Sequence, residues 1–354
     1  MNTYNVIGVM SGTSLDGLDI CYCSFSISKN KQWSYNINAA STINISDKLK
    51  TKLIKAINYS GLELSLLDNE LGDFIGHSIN IFIKKNNIKS IDFISSHGHT
   101  IFHQPQKKLT LQIGNGANIS SITKYPVICD FRTSDLALKG NGAPLVPIGD
   151  KLLFNEYDYC LNLGGIANIS YQEEKRIAYD ICPANMVLNK LANDLGKEYD
   201  ANGDIARSGK IDSSLLTKLN NLEYYQTPHP KSLGFEWVEK YIFPILNNYD
   251  IPVENKLSTF IEHIALQISN QVTEKSTLLI TGGGVFNSFL IERLKKNSNL
   301  SIIIPPEEII NFKEALIFGF LGVLRYRNEI NTLKSVTGAQ FDNIGGCIYN
   351  ALTN

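Results

Sequence analysis

Three glycine turns stand where apolar runs of the chain stop, and turns of that kind can hold phosphate. The first lies in IGVMSGTSLDGLD, residues 7–19. An apolar run over 4–10 ends at Ser11, Gly12, Thr13 and Ser14, and Leu15, Asp16, Gly17, Leu18 and Asp19 lead into a second run. Gly12 and Gly17 let a ligand approach the backbone. Ser11, Thr13 and Ser14 offer hydroxyls, Asp16 and Asp19 offer carboxylates, and backbone N–H groups in such a turn cradle phosphate oxygens. No Gly-Lys-Ser/Thr follows and the turn feeds a strand, so it is not a P-loop. These residues serve a nucleotide-binding turn and a plain structural hairpin equally well.

The second turn is Gly164-Gly165, and the third is Gly282-Gly283-Gly284. The third joins a buried run to a helix, so a base or ribose can approach it and meet a helix N-terminus. Open α/β sheets bind ligands beyond the carboxyl ends of their strands. Each turn taken singly also fits a tight turn without ligand. Two further groups carry chemistry. His97, His99 and His103 bring three ring nitrogens together, but no carboxylate or cysteine lies nearby in sequence to complete a zinc set. Arg132 follows a strand, and its planar fork suits a carboxylate, either that of a ligand or that of Asp135.

These residues must be positioned by elements that the apolar pattern outlines. At 354 residues the chain can form two domains with substantial cores. Residues 4–10, 18–25 and 34–45 read as strands and two amphipathic helices follow, over 47–57 and 64–82. A short strand over 91–95 ends at the histidine cluster, and another over 126–131 ends at Arg132. KGNGAPLVP, residues 139–147, reads as a domain crossover. The opening order then recurs: strand 157–163, Gly turn, strand 166–171, strand 176–181, helix. A repeated order of this kind predicts a duplicated α/β architecture with a cleft between the halves. Residues 202–229 read as a polar insertion, and the tail after Gly338 is weakly patterned. The first domain is expected over 1–135, with 331–354 packing back on it, and the second over 136–330.

Composition removes several classes of function. The formal net charge of −1 implies neither a nucleic-acid surface nor a polybasic membrane patch. No apolar run approaches the ~20 residues of a membrane helix. The N-terminus shows no secretory signal, and the six cysteines form no CxxC pair. A cytoplasmic protein without structural disulfides is expected.

Longer strings carry a resemblance. SGTSLDGLD at the start, SSHGHTIFHQP at 95–105, CDFRTSDLALKGNGAPLVP at 129–147, NLGGIANIS at 162–170, YDICPANMVLN at 179–189, ITGGGVFN at 280–287, KEALIFGFLG at 313–322 and SVTGA at 335–339 are together similar to the anhydro-N-acetylmuramic acid kinase family. That family lies within the superfamily of sugar kinases, actin and heat-shock ATPases. The resemblance implies duplicated ribonuclease-H-like (actin-like ATPase) domains flanking a nucleotide cleft. It also implies ATP and Mg²⁺ as cofactors, with opening of 1,6-anhydro-N-acetylmuramic acid and phosphorylation of O6 during peptidoglycan recycling.

On this resemblance Gly12, Thr13, Ser14, Leu15, Asp16, Gly17, Leu18 and Asp19 hold the ATP phosphates together with Gly164 and Gly165, and Gly282, Gly283 and Gly284 receive the adenosine. Asp180 falls at the position of the catalytic base, where DICPAN replaces Asp-Thr-Gly-Pro-Gly-Asn. Its other reading is a helix N-cap before Pro183. His97, Arg132, Asn185 and Glu314 are expected to contact the sugar, Arg132 through the lactyl carboxylate. No metal ligand is assigned, and neither a nucleic acid nor a membrane is an expected partner. A homodimer is one assembly this reading allows. Two rivals stay open: a sugar kinase of the same superfamily that opens no ring, and a nucleotide-gated binding module without catalysis.

Overall fold

The computed structural model describes residues 2–12 and 15–350. The chain divides into two compact units, the first comprising Met1–Leu153 and Phe312–Asn354 and the second Phe154–Asn311.

Unit 1 opens with β1 (Asn2–Ser11), β2 (Leu18–Ile27) and β3 (Trp33–Ile43), joined as an antiparallel meander. Two helices follow, α1 (Asp47–Lys55) and α2 (Gly61–Lys85). Ser46 caps α1 by accepting from the Leu49 N–H, and Ser60 with Glu63 forms a capping box on α2. Both devices satisfy amide donors that a helix start leaves free. Leu67, Leu71, Ile75, Ile79 and Phe82 lie on one face of α2 and are buried in the core of this unit. Then come β4 (Phe93–Gln104), β5 (Leu109–Ile113), α3 (Gly116–Thr123), β6 (Val127–Cys129), α4 (Thr133–Ala137) and α5 (Val146–Leu153).

Unit 2 repeats the plan. A second antiparallel meander runs through β7 (Tyr159–Leu163), β8 (Ile166–Gln172) and β9 (Arg176–Pro183). It leads to α6 (Asn185–Asn193), α7 (Asp204–Ser208), α8 (Ser213–Asn220) and α9 (Glu223–Gln226). The chain continues through α10 (Phe235–Trp237), α11 (Phe243–Asn247), α12 (Val253–Ser269), β10 (Thr277–Thr281), α13 (Ser288–Asn297) and β11 (Ser301–Ile303). Leu257, Phe260, Ile261, Ile264 and Ile268 on α12 are fully buried at helical spacing.

The chain re-enters unit 1 along α14 (Glu307–Tyr326), followed by α15 (Lys334–Thr337) and β12 (Cys347–Tyr349). Strand order in unit 1 is β12-β6-β4-β1-β2-β3, and in unit 2 it is β11-β10-β7-β8-β9. In both sheets the first strand of the meander pairs in parallel with the next strand, which pairs in parallel with another: β1 with β4 and β4 with β6, β7 with β10 and β10 with β11. The fold is therefore a duplicated α/β architecture of ribonuclease-H-like strand order.

Several expectations change. The boundary lies after Leu153 rather than after residue 135, and the return comes at Phe312 rather than at 331. The reason is packing. Gly149 of α5 sits against Ile317 of α14, and Gly8 of β1 leaves room for the Ala315 carbonyl. A buried Asp150–Lys313 ion pair at 2.8 Å also ties α5 to α14. The passage 139–147 is thus a loop of unit 1 leading into α5, not the crossover. β4 does not stop at residue 95, because its polar side chains find partners: Ser95 donates to the Phe318 carbonyl at 2.5 Å, and Ser11 meets the His99 ring at 3.2 Å. Residues 202–229 hold three helices instead of an open insertion, since Ala206, Leu215 and Leu219 are fully buried. The tail contributes β12, paired antiparallel with β6.

Candidate functional site

In unit 2, three elements meet around one glycine turn. β7 and β8 close as a hairpin at Gly164-Gly165, with Leu163 opposite Ala167. The Gly165 carbonyl accepts from the Ala184 and Met186 amides at 2.8 and 3.2 Å, and the Gly164 carbonyl accepts from the Asn185 amide at 3.2 Å. Both carbonyls are therefore turned toward the start of α6. The Gly164 and Gly165 amides donate to nothing among the described residues, which leaves them for an anion. The Gly282–Gly284 turn packs against the same hairpin. Gly282 has φ +85°, and a side chain there would sit 2.6 Å from the Asn162 Oδ1. Only glycine fits that geometry. Gly283 faces open space. The Asn185 side chain donates to the Leu163 carbonyl at 3.3 Å, so it braces the hairpin.

Asp180 lies on β9, three residues before the strand ends at Pro183. The N-cap position of α6 belongs to Ala184 and not to Asp180. A segment from α9 to Leu233 clasps this aspartate. The Tyr224 hydroxyl donates to the Asp180 carbonyl at 2.6 Å, the Asp180 amide donates to the Lys231 carbonyl at 3.3 Å, and the Leu233 amide donates to the Asp180 Oδ2 at 2.8 Å. The Lys231 ammonium closes the loop by donating to the Tyr224 carbonyl at 3.1 Å. With the backbone held at both ends and one carboxylate oxygen fixed, Oδ1 takes no hydrogen bond among the described residues. Burial pushes the Asp180 carboxyl above its ordinary value, and the Leu233 N–H opposes that rise. The group is a fixed carboxylate with a free oxygen and enhanced basicity, which is what proton abstraction from water requires.

Of the four expected sugar contacts, Asn185 belongs to unit 2, whereas His97, Arg132 and Glu314 belong to unit 1, where His97 meets Arg132 directly. Its Nε and Nη2 lie 3.0 and 2.9 Å from the Nε2 of His97, and its Nη1 donates to the Gly142 carbonyl at 2.7 Å. The other His97 nitrogen, Nδ1, lies 3.0 Å from the Gly98 carbonyl and can only donate there. That assigns the proton to Nδ1 and leaves Nε2 as the acceptor. Burial and then the Arg132 charge hold the His97 pKa well below 6.5, so the ring is neutral. One N–H remains on each terminal nitrogen of the guanidinium. The His97 ring also packs on Phe318, with centroids 4.4 Å apart.

The alternative reading, an Arg132–Asp135 pair, does not form among the described residues. Asp135 is fully buried and accepts instead from the Gly142 amide, the Thr337 hydroxyl and the Asn343 side chain. Burial lowers the Arg132 pKa to about 10, and the Glu314 charge opposes that fall. Burial of its carboxyl among the surrounding atoms raises the Glu314 pKa, Arg132 pulls it down and Asp19 pushes it up. Asp19, Arg132 and Glu314 thus share one electrostatic neighbourhood.

The β1–β2 turn shows a strained anchor. Leu15 has φ +57° with its side chain buried in the core, while its amide donates to the Gly12 carbonyl at 3.2 Å. A left-handed leucine costs energy and persists only where its surroundings demand it. Asp16 is exposed, and Asp19 accepts from the Thr42 hydroxyl at 2.6 Å. Leu18 and Ser11 close the hairpin as a register pair, and Gly17 packs on Thr42. Thr13 and Ser14 lie outside the described residues.

The histidine trio divides among different partners: His97 meets Arg132, His99 meets Ser11, and His103 meets Thr110 at 3.2 Å. No group of three His, Cys, Asp or Glu forms a metal set among the described residues. No described helix is long and apolar enough to cross a membrane. Sequence reasoning missed the clasp on Asp180. Two of its three grips use backbone groups of Lys231 and Leu233, which leave no side-chain signature, and the third is the Tyr224 hydroxyl.

Known proteins resemble this chain along nearly its whole length. A family model described as anhydro-N-acetylmuramic acid kinase matches residues 4–351. An anhydro-N-acetylmuramic acid kinase of Sulfurovum sp. (strain NBC37-1) is 35% identical over 372 residues, covering 99% of this chain and 100% of the relative. Its counterpart in Mannheimia succiniciproducens is 33% identical, covering 97% and 98%. Among solved structures, the activator of the 2-hydroxyisocaproyl-CoA dehydratase from Clostridium difficile with bound ADPNP is similar at a TM-score of 0.44 and 11% identity, covering 93% of this chain and 99% of that one. By the family model and these full-length relatives, the chain belongs to the anhydro-N-acetylmuramic acid kinase family.

Proposed function

We propose that this enzyme hydrolyses the 1,6-anhydro bridge of anhydro-N-acetylmuramic acid and transfers the γ-phosphoryl group of ATP to O6, giving N-acetylmuramate 6-phosphate for cell-wall recycling and amino-sugar catabolism. The observation that carries this reading is Asp180, gripped at its amide, its carbonyl and Oδ2 while Oδ1 stays free.

Water attacks the anomeric carbon while the bond from that carbon to the bridging oxygen breaks. Asp180 Oδ1 accepts the water proton as the new carbon–oxygen bond forms. The departing oxygen, now O6, attacks the γ-phosphorus, and ADP leaves. The raised affinity of Asp180 for a proton favours the first step. In-line positioning and charge neutralisation supply most of phosphoryl-transfer catalysis.

The Gly164 and Gly165 amides are assigned to the ATP phosphates and Gly283 to the adenosine. The Gly12–Asp19 turn is assigned to the phosphates as well. The two free N–H groups of Arg132 receive the lactyl carboxylate, with His97 holding the guanidinium in place and Glu314 completing the polar wall. Bound Mg²⁺ would supply charge neutralisation on the triphosphate. Asp16 and Asp19 are the carboxylates that water bridges from it would reach.

Incubation with ATP, Mg²⁺ and the anhydro sugar, followed by product mass, tests the reading. The expected product is heavier than the sugar by one water and one phosphoryl group. A product carrying phosphate without the added water would assign the chain to a kinase that opens no ring. Nucleotide binding with no sugar phosphate formed would assign it to a binding module.

A further inference from the structure

The loop over 139–147 and the segment SVTGA over 335–339 are among the most distinctive strings of the sequence, yet the chemistry above uses neither. Both converge on Asp135. Its Oδ2 accepts from the Gly142 amide at 2.8 Å, and its Oδ1 accepts from the Thr337 hydroxyl at 2.9 Å and the Asn343 Nδ2 at 2.8 Å. The residue is 0% exposed, and no cation pairs with it among the described residues. A buried carboxylate held only by neutral donors is costly, and each donor it keeps is fixed firmly in return.

The fixed donor that matters is Gly142. Its amide is held by Asp135, and its carbonyl accepts from the Arg132 Nη1 at 2.7 Å. One peptide-bearing residue therefore connects the buried carboxylate to the guanidinium. Gly142 has φ +69°, and a side chain there would lie 2.2 Å from the Leu136 Cδ1, so the link tolerates nothing larger than glycine. Gly140 is equally confined: a Cβ would fall 2.1 Å from the Asp135 Oδ2. The Asn141 amide donates to the Thr337 carbonyl at 2.8 Å, which joins the loop to α15 a second time.

We propose that Asp135 is a positioning residue that sets the direction of the Arg132 fork through Gly142, with Thr337 holding Asp135 in turn, so that the enzyme favours sugars bearing a carboxylate over neutral ones. The proposal rests on the reading of Arg132 as the carboxylate receiver. Asp135 touches no substrate; it acts by keeping the Gly142 carbonyl where it occupies one N–H of Arg132 and leaves the remaining two correctly aimed.

The test compares the anhydro sugar acid with its neutral methyl ester in steady-state kinetics of the full chain. Asp135→Asn and Thr337→Val are expected to raise KM for the acid about tenfold, the weight of a misaligned charge-assisted hydrogen bond, with kcat and the KM for ATP changed little. KM for the ester stays near its original value, so the preference for acid over ester shrinks. Thr337→Ser, which keeps the hydroxyl, restores the preference. A parallel rise of KM for acid and ester, or no rise for either, would overturn the proposal. If Asp135→Asn does not yield folded protein, the Thr337 pair decides alone. Arg132→Lys serves as the separate control. If it leaves the acid–ester preference intact, the assignment of Arg132 itself fails, whatever the Asp135 and Thr337 variants do.

Discussion

Arg132 presents two nitrogens to a single acceptor, the Nε2 of His97, at 3.0 and 2.9 Å. A neutral histidine thus fixes the edge of a guanidinium while the Gly142 carbonyl takes a third N–H. The remaining donors form a fork whose direction is decided before any substrate arrives. Preorganisation of this kind removes the ordering cost of binding.

Arg132→Lys replaces that fork with a point charge on a flexible stem. KM for the acidic sugar is expected to rise about ten- to a hundredfold, the loss of a charge-assisted bidentate contact. ATP affinity should stay within a factor of about two, since no phosphate turn is touched. Steady-state kinetics against each substrate separates the two effects.

Asp180→Asn removes the proposed proton acceptor but keeps the Leu233 amide contact through its side-chain oxygen. Turnover is expected to fall by about two to four orders of magnitude, the usual weight of a general base. Nucleotide binding, measured by calorimetry, should be unchanged. Near-normal turnover would remove Asp180 from the base position.

The pH profile follows from the same residue. Burial raises the Asp180 pKa above 3.8, and only the ionised form accepts a proton from water. The acid limb of kcat is therefore expected above the ordinary aspartate range, with activity lost as pH falls through the raised value. In Asp180→Asn the residual rate should lose that limb.

Stability carries a separate pH signature. His263 is completely buried between Asn220 and Tyr225, and burial lowers its pKa from 6.5 to about 3. Below pH 6.5 the unfolded chain binds a proton that the folded chain refuses. Folding stability is thus full above that pH and falls progressively toward about pH 3. The loss amounts to a few kcal/mol on the order expected for a fully titrated buried histidine. His97 adds to it with the same sign. Denaturant midpoints between pH 7.5 and pH 5 would check the slope, which His263→Gln should flatten.

Much of the fold was legible because its signals are periodic. The meander strands of both sheets and the buried face of α12 follow from apolar runs and from helical spacing. The duplication was visible for the same reason. Legibility ended where satisfaction of polar groups decided the outcome. β4 runs through Ser95, His97 and His99 because each finds an inward partner, and a polar cluster otherwise reads as a strand end. Asp135 looked like the counter-ion of Arg132 from three positions away, yet it turns to the tail instead. The tail's approach could not be read from local pattern. At the site, Asp180 and the glycine turns stood out as residue types, whereas the amide of Leu233 did not.

The crossing of β1 and α14 makes a packing prediction. A Cβ on Gly8 would fall 2.0 Å from the Ala315 carbonyl oxygen. Gly8→Val should destabilise unit 1 by about 1–3 kcal/mol or more through overpacking, seen as a lower melting temperature.

The account stands most directly on where solvent oxygen goes. Reaction in ¹⁸O-labelled water, with fragmentation of the sugar phosphate, should place the label on the anomeric carbon and none in the phosphoryl group. Label in the phosphate, or an unlabelled sugar ring, would mean that water does not open the bridge, and the role given to Asp180 would fall with it.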